Sequence, residues 1–478
     1  MSYTSQELIN IFTPLGRKPG PWLGWLLKQD LSGLTVSYIK DLVEQEFPTP
    51  VIISLDDGSL KPIQNFMETS DNEYVIENNE KVLSTVRNIL NTPYTKEAII
   101  QADGCTTGES SMPVGVMVSS EKIHPNYFSA DIACSLKATC VGEIDPQLVF
   151  DTLKGIVHFG GGARQGTGIL GQKLHTIPIP KELSLELRDN RYTHPIWKNR
   201  DFDNFNMTCG ASNHFVNVCV SENTGHTWIV SHFGGRKPAA TLFKRGMEIA
   251  KDHCKNICPD LDPNYSWIPE DEENCYYEAL LLIKKWTQTS HEMLHKAAYS
   301  ALNVVPIDQY YTPHNFVLRR SDGLYEHFKG STTLKKEHNP ENLKVIPLNM
   351  RDPVLLVSNH PENTSGYAPH GAGRIFSRSN WMKQKGFNDI KAPSKYKECK
   401  SNGMIDKLIQ EELGPLAPNY VSFTKNPDIS ELPSAYRDYS VIITEIEKQK
   451  IAIIEDKLIP IGSIMAGVFL NGRKSRKK

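Results

Sequence analysis

Asn213-His214-Phe215-Val216-Asn217-Val218-Cys219-Val220 and Trp228-Ile229-Val230-Ser231-His232-Phe233-Gly234-Gly235-Arg236 decide how this chain is read. Phe215 to Val220 and Trp228 to Val230 are short β-branched and aromatic runs, a composition that fits a pleated strand. Ser, Glu, Asn and Gly separate them, and a helical pattern starts at Lys237, right after Arg236. A histidine stands at the open end of each run, His214 before the first and His232 after the second. Placed beside strand ends rather than on a helix face, both are candidates for chemistry.

The same texture continues on either side. From about Pro93, runs such as Gly115 to Val118 and Val354 to Val357 alternate with Gly, Asn and Ser clusters. Two long helical patterns, Lys237 to Cys258 and Cys275 to Leu302, interrupt them. No repeat recurs at a fixed period. Strands punctuated by a few helices predict an α+β fold, a layered β-sheet core with flanking helices, rather than a regular βαβ wind. Residues 1–87 read as a mixed N-terminal extension. In it, Gly16-Arg17-Lys18-Pro19-Gly20-Pro21 is a turn that puts Pro21 at a first helical position. Pro48-Thr49-Pro50 then precedes a strand-like Val51-Ile52-Ile53 and an Asp56-Asp57-Gly58 turn. The core domain spans 88–470, and 471–478 is a basic tail read as a solvated end.

Composition narrows the class. The chain has 478 residues, 39% hydrophobic and 23% charged, which suits a globular protein with a sizeable core. Lys and Arg number 53 against 55 Asp and Glu, a net charge of −2, so a broad basic nucleic-acid coat is excluded but a local basic groove is not. The N-terminus lacks the pattern of a secretory signal, and the longest apolar runs, such as Ala279 to Ile283, are too short to span a membrane. Nine cysteines, an odd number spread thinly, argue against a disulfide framework and for a reducing, cytoplasmic setting.

Fifteen histidines carry the chemical signal. Besides His214 and His232, His314-Asn315-Phe316 and His370-Gly371-Ala372-Gly373-Arg374 fall in loop or strand-end contexts. Asp131-Ile132-Ala133-Cys134 adds a carboxylate and a thiolate on one tight turn, where both can reach one cation and the thiolate can bridge two. Imidazole, thiolate and carboxylate together suit Mn, Zn or Fe better than Mg. A competing pattern is His291-Glu292-Met293-Leu294-His295, the His-Glu-x-x-His spacing of zinc peptidases. No third ligand follows it, and it is read as an exposed helix with two surface histidines. Gly160 to Gly168 lacks the Lys-Ser/Thr end of a P-loop and reads as a flexible loop near the site. Cys254 and Cys258 read as packing residues.

In order, Asp-x-x-Cys, Asn-His-Phe, His-x-Gly-x-Arg, His-Asn and His-Gly-Ala-Gly-Arg resemble the RtcB-type RNA-splicing ligases. The resemblance runs from about residue 88 to 470, and His370 to Arg374 is its most specific piece. It implies that Asp131, Cys134, His214, His232 and His314 are ligands of two Mn²⁺ ions (other divalent transition metals would also suit), with Cys134 bridging. It implies that His370 is the nucleophile guanylylated by GTP and that Asp103 lies close to the reacting ends. Asn213, Lys329, Arg374 and Asn349 match positions near nucleotide and RNA phosphates. The chain departs from the family at several points. Asp-x-Gly-Cys-Gly is Asp131-Ile132-Ala133-Cys134-Ser135 here, Asn217 replaces a guanine-contacting Glu, and Cys105 replaces a His. Pro347-Leu348-Asn349-Met350-Arg351-Asp352 stands for Pro-Gly-Ser-Met-Gly-Thr.

The expectation is therefore a Mn²⁺- and GTP-dependent RNA ligase joining 3′-phosphate or 2′,3′-cyclic phosphate ends to 5′-hydroxyl ends of tRNA- or rRNA-type substrates. The losses fall on the nucleotide-base contacts, while the metal ligands and the nucleophile are all present. No membrane partner is expected, an accessory activating protein could take part, and residues 1–87 either bind RNA or brace the core. The rival readings are a metal-dependent phosphoesterase without nucleotide activation, a zinc metallopeptidase built on His291, Glu292 and His295, and a silent RNA-binding protein.

Overall fold

In the computed structural model, Phe215–Ser221 and Thr227–Phe233 are neighbouring antiparallel strands, paired Phe215 to His232 and Val220 to Thr227. The structure describes residues 3–15, 19–47, 51–108, 110–160, 162–338, 340–388, 390 and 392–470. Gly16-Arg17-Lys18, Pro48-Thr49-Pro50 and the basic tail lie outside those residues. The described residues form two compact units, Met1–Ser54 with Asn256–Pro259, and Leu55–Lys255 with Asp260–Lys478.

The smaller unit packs the helices Ser5–Phe12, Pro21–Leu26 and Val36–Glu46 through Leu8, Phe12, Trp22, Leu26, Ile39 and Val43. Thr4 caps the first helix in a reciprocal box with Glu7, and Pro21 opens the second as its fixed φ favours. Val51 to Ile53 does not form a strand. Its backbone finds no strand to pair with among the described residues, and Ile53 N–H instead donates to the carbonyl of Ile257. An apolar triplet without a ladder partner stays irregular.

The larger unit is built on a twelve-stranded sheet. From edge to edge it runs through Ile63–Asn65, Thr95–Cys105, Val114–Ser120, Tyr325–Lys329, Gln309–Arg319, Cys134–Gly142, Thr227–Phe233, Phe215–Ser221, Ala452–Met465, Val354–Asn359 and Lys344–Pro347. Tyr420–Ser422 pairs in parallel beside Ala452–Met465, and all other neighbours are antiparallel except the first pair. Helices cover both faces, and alternation along the strands sorts the side chains between them. Leu136, Ala138, Cys140, Trp228 and Val230 meet Trp381, Ile405 and Leu408 on one face. Val141, Ile229 and Phe233 meet Leu294 and Ala298 on the other. With fourteen α-helices among the described residues, this is the α+β layered architecture expected.

The two long helices run Arg236–Ile257 and Glu270–Ala301. The second starts before the predicted Cys275 because Glu270, Asp271, Glu272 and Glu273 fill its first turn, where negative charge meets the positive end of the helix dipole. No helix among the described residues is long and apolar enough to cross a membrane.

Candidate metal centre and its histidine

Strand order places the candidate ligands. Gln309–Arg319, Cys134–Gly142, Thr227–Phe233 and Phe215–Ser221 lie side by side, and each brings one donor to the same level of the sheet. Cys134 pairs with Asn315, next to His314. His232 pairs with both Leu136 and Phe215, next to His214. Cys134 Sγ lies 3.4 Å from His214 Nε2 and 3.3 Å from His232 Nε2. His214 Nε2 is 3.0 Å from Asp131 Oδ2, and His232 Nε2 is 3.2 Å from His314 Nε2. Five residues far apart in sequence, from Asp131 to His314, thus bring their donor atoms together.

The turn that carries Asp131 is held from several sides. Ala133 has φ +60, a left-handed conformation that costs an alanine roughly 1 kcal/mol relative to glycine. Its N–H donates to the Asn315 carbonyl at 2.8 Å, and Ser135 Oγ donates to its carbonyl at 3.0 Å. These hydrogen bonds hold the turn in its left-handed conformation although its residue is an alanine. Gly234 lies flat against the Asp131 carboxylate, and a Cβ there would collide with it. Gly234→Ala is expected to displace Asp131 and to weaken cation binding at least ~10-fold, with little change in melting temperature. Isothermal titration with Mn²⁺ alongside thermal melting checks this.

Burial pushes the Cys134 thiol well above its ordinary pKa, and neighbouring Asp131 adds to the rise. Burial likewise pushes the His232 and His314 imidazoles well below theirs, with neighbouring histidines reinforcing the shift. For Asp131, burial would raise the pKa, but the charge and hydrogen bond of His214 and the contact with Cys134 outweigh it and hold it low. Imidazole nitrogens converging on a thiol and a carboxylate are the donor set that a divalent transition cation satisfies, deprotonating the thiol as it binds. Cys134, His214 and His232, all buried, form a possible metal-binding site.

His370 follows the short strand Tyr367–Pro369, and its ring centroid is 5.0 Å from that of His314. Asp103, fully buried at the end of Thr95–Cys105, lies with its Oδ2 2.6 Å from His370 Nδ1 and accepts the His370 backbone N–H at 3.1 Å. A carboxylate at that distance fixes the proton on Nδ1 and leaves the Nε2 lone pair available. Glycines permit the close approach: a Cβ at Gly330 would press on His370, one at Gly115 on the Asp103 carboxylate, and one at Gly373 on its carbonyl.

His370 and His232 line a cavity of about 730 Å³, with Asn213, Asn349 and Arg374 also in its wall. Asn349 is partly tied down, donating to Asp352 and accepting from the backbones of Arg351 and Asp352. Arg374 is 3.3 Å from Glu431 and lies over the Tyr436 ring. Lys329 points elsewhere: its ammonium donates to Thr107, Ser111 and the Met112 carbonyl, and burial lowers its pKa to about 8. Glu431 and Arg378, which also line the cavity, were not legible in the sequence. Glu431 reaches the site from a distant 3₁₀ turn with no local motif, whereas Arg378 has a weak signal in its position just after His370 to Arg374. No described residue from 160–168 lines the cavity, and Gly166–Thr167 pairs instead with Lys173–Leu174.

His291 and His295 are not the surface histidines expected. Both are fully buried, because Glu270–Ala301 presses that face against the sheet. Only Glu292 faces outward, where Gln288 donates to it at 3.0 Å. With its Glu turned away from its histidines, the His-Glu-x-x-His segment does not make a peptidase site. Cys254 and Cys258 are buried packing residues, as expected.

No curated protein matches the chain. Residues 198–417 match the family model described as tRNA-splicing ligase RtcB. That segment contains His214, His232, His314 and His370, while Asp103, Asp131 and Cys134 precede it and join them only through the fold. Over that stretch, a little under half of its length, the chain is similar to the RtcB family.

Proposed function

We propose that the protein is a Mn²⁺- and GTP-dependent RNA ligase that joins RNA 3′-phosphate or 2′,3′-cyclic phosphate ends to 5′-hydroxyl ends in splicing or repair. The observation that carries this reading is His370, oriented by Asp103 and set beside a buried Cys/His/His cluster on a cavity large enough for a nucleotide. Asp131, Cys134, His214, His232 and His314 would hold the cations. Cations bound there supply Lewis-acid stabilisation of charge growing on phosphoryl oxygens.

His370 Nε2 attacks the α-phosphorus of GTP, an N–P bond forms, and the α–β anhydride breaks to release pyrophosphate. Asp103, accepting from Nδ1–H, keeps that proton on the ring and balances the positive charge that develops there. An RNA 3′-phosphate then takes the guanylyl group from His370, restoring the neutral imidazole. A 5′-hydroxyl displaces GMP from the activated end to close the RNA strand. A 2′,3′-cyclic phosphate is first hydrolysed to the 3′-phosphate. Asn213 and Arg374, in the cavity wall, are placed to contact phosphates.

The test is an adduct assay with α-labelled GTP and, in parallel, α-labelled ATP in the presence of Mn²⁺. Label on the denatured wild-type protein from GTP, absent from His370→Ala, is expected. Label surviving His370→Ala sinks the nucleophile. Release of phosphate from RNA ends with no label from either nucleotide identifies a phosphoesterase instead.

A further inference from the structure

Adjacent strand residues face opposite sides of a sheet. Cys134 and His232 face the candidate cation site, so Ser135, Ser231 and Phe233 face the helix Glu270–Ala301. On that face His291 and His295 form a continuous, fully buried hydrogen-bonded chain with them. Ser231 Oγ is 2.7 Å from His291 Nδ1 and 2.7 Å from His295 Nε2. His295 Nδ1 is 2.8 Å from Thr139 Oγ1, and His291 Nε2 is 3.2 Å from the Phe233 carbonyl and 3.3 Å from Ser135 Oγ. The His291 ring also stacks on Phe233, with centroids 3.5 Å apart and planes 5° from parallel.

Proton count gives this chain one direction. The Phe233 carbonyl can only accept, so His291 carries its proton on Nε2 and accepts at Nδ1. Ser231 therefore donates its single proton to His291 and accepts from His295 Nε2–H, whose Nδ1 accepts from the Thr139 hydroxyl. Every nitrogen of the pair is used, which leaves neither imidazole free to ligate a metal. The members of the chain alternate between the two strands that carry Cys134 and His232, and each grip lies directly behind a candidate ligand: Ser135 follows Cys134, and Ser231 and Phe233 flank His232.

We propose that His291, His295 and Ser231 are positioning residues, a hydrogen-bonded brace that holds Cys134 and His232 at the spacing a divalent cation requires. The inference rests on Cys134, His214 and His232 being cation ligands. Buried polar chains of this kind specify one arrangement when every member is satisfied, and they lose it when one hydroxyl is removed. Outer partners of metal ligands commonly contribute 10–100-fold to affinity.

The test uses the full chain and Co²⁺ as probe, following the absorption of the cobalt–thiolate bond, with melting temperature measured without metal. Ser231→Ala is expected to weaken Co²⁺ binding by roughly 10-fold or more and to diminish the cobalt–thiolate band. Should Ser231→Ala not fold, Ser135→Ala removes the neighbouring hydroxyl at less cost and is expected to shift the same band. Wild-type Co²⁺ affinity and spectrum in a variant that merely melts lower would overturn the proposal and leave the pair as packing histidines. A wild-type protein that gives no cobalt–thiolate band would instead overturn the ligand reading itself, and the brace with it.

Discussion

Asp103→Asn is expected to slow nucleotidylation of His370 by about 10³–10⁴-fold while leaving cation binding unchanged. The substitution is nearly isosteric, so the buried pocket at the end of Thr95–Cys105 keeps its shape. Its effect is on the proton. The carboxylate accepts from His370 Nδ1 at 2.6 Å and from the His370 backbone N–H at 3.1 Å. An amide there can turn its NH₂ toward Nδ1, which places the ring proton on Nε2, the nitrogen that must attack. If it turns its oxygen toward Nδ1 instead, it preserves the tautomer but no longer balances the charge on the ring after attack. Single-turnover labelling at saturating nucleotide, with Mn²⁺ affinity measured separately, checks this. A labelling rate within a few-fold of wild type would show that Asp103 only supports the loop.

Cys134→Ser is expected to weaken divalent cation binding by at least about 100-fold and to abolish ligation with it, since outer partners alone contribute up to that much. Cys134 is central in the cluster, within 3.4 Å of two imidazole nitrogens from separate strands, so it is the atom through which both sides meet. A hydroxyl fits the space but resists deprotonation and is a poorer ligand for a transition cation. Because the thiol is buried and neutral without a metal, the apo protein should melt close to wild type. Titration with Mn²⁺ or Zn²⁺ and thermal melting with and without metal separate the two effects. Metal stoichiometry unchanged in Cys134→Ser would remove Cys134 from the ligand set.

Much of the fold is legible along the chain because strand and helix signals are local. Phe215 to Val220 and Trp228 to Val230 are strands where β-branched composition puts them, and the long helices appear within a few residues of their predicted ends. Val51 to Ile53 shows the limit, since its composition is strand-like but a ladder needs a second strand, and composition cannot supply one. His291 and His295 show the same limit for burial. Their spacing places both on one helical face, and only the packing of Glu270–Ala301 on the sheet decides that this face is the inner one.

The motifs Asp131 to Cys134, Asn213 to Phe215, His232 to Arg236 and His370 to Arg374 determined by themselves which residue types were available and in what order. Their chemistry, imidazole, thiolate and carboxylate at strand ends, was enough to point to a transition cation, while the nucleophile reading of His370 came only from the resemblance of His370 to Arg374 to the RtcB-type ligases. Tertiary structure alone decided that Cys134 lies between His314 on one neighbouring strand and His232 on the other, and that Asp103 reaches His370 from a distant strand. It also turned Lys329 toward the Thr107–Met112 loop and brought Glu431 to the cavity wall. The reason is physical: a side chain's identity is local, but its partners are set by strand order and register, which depend on how the whole sheet buries its two faces.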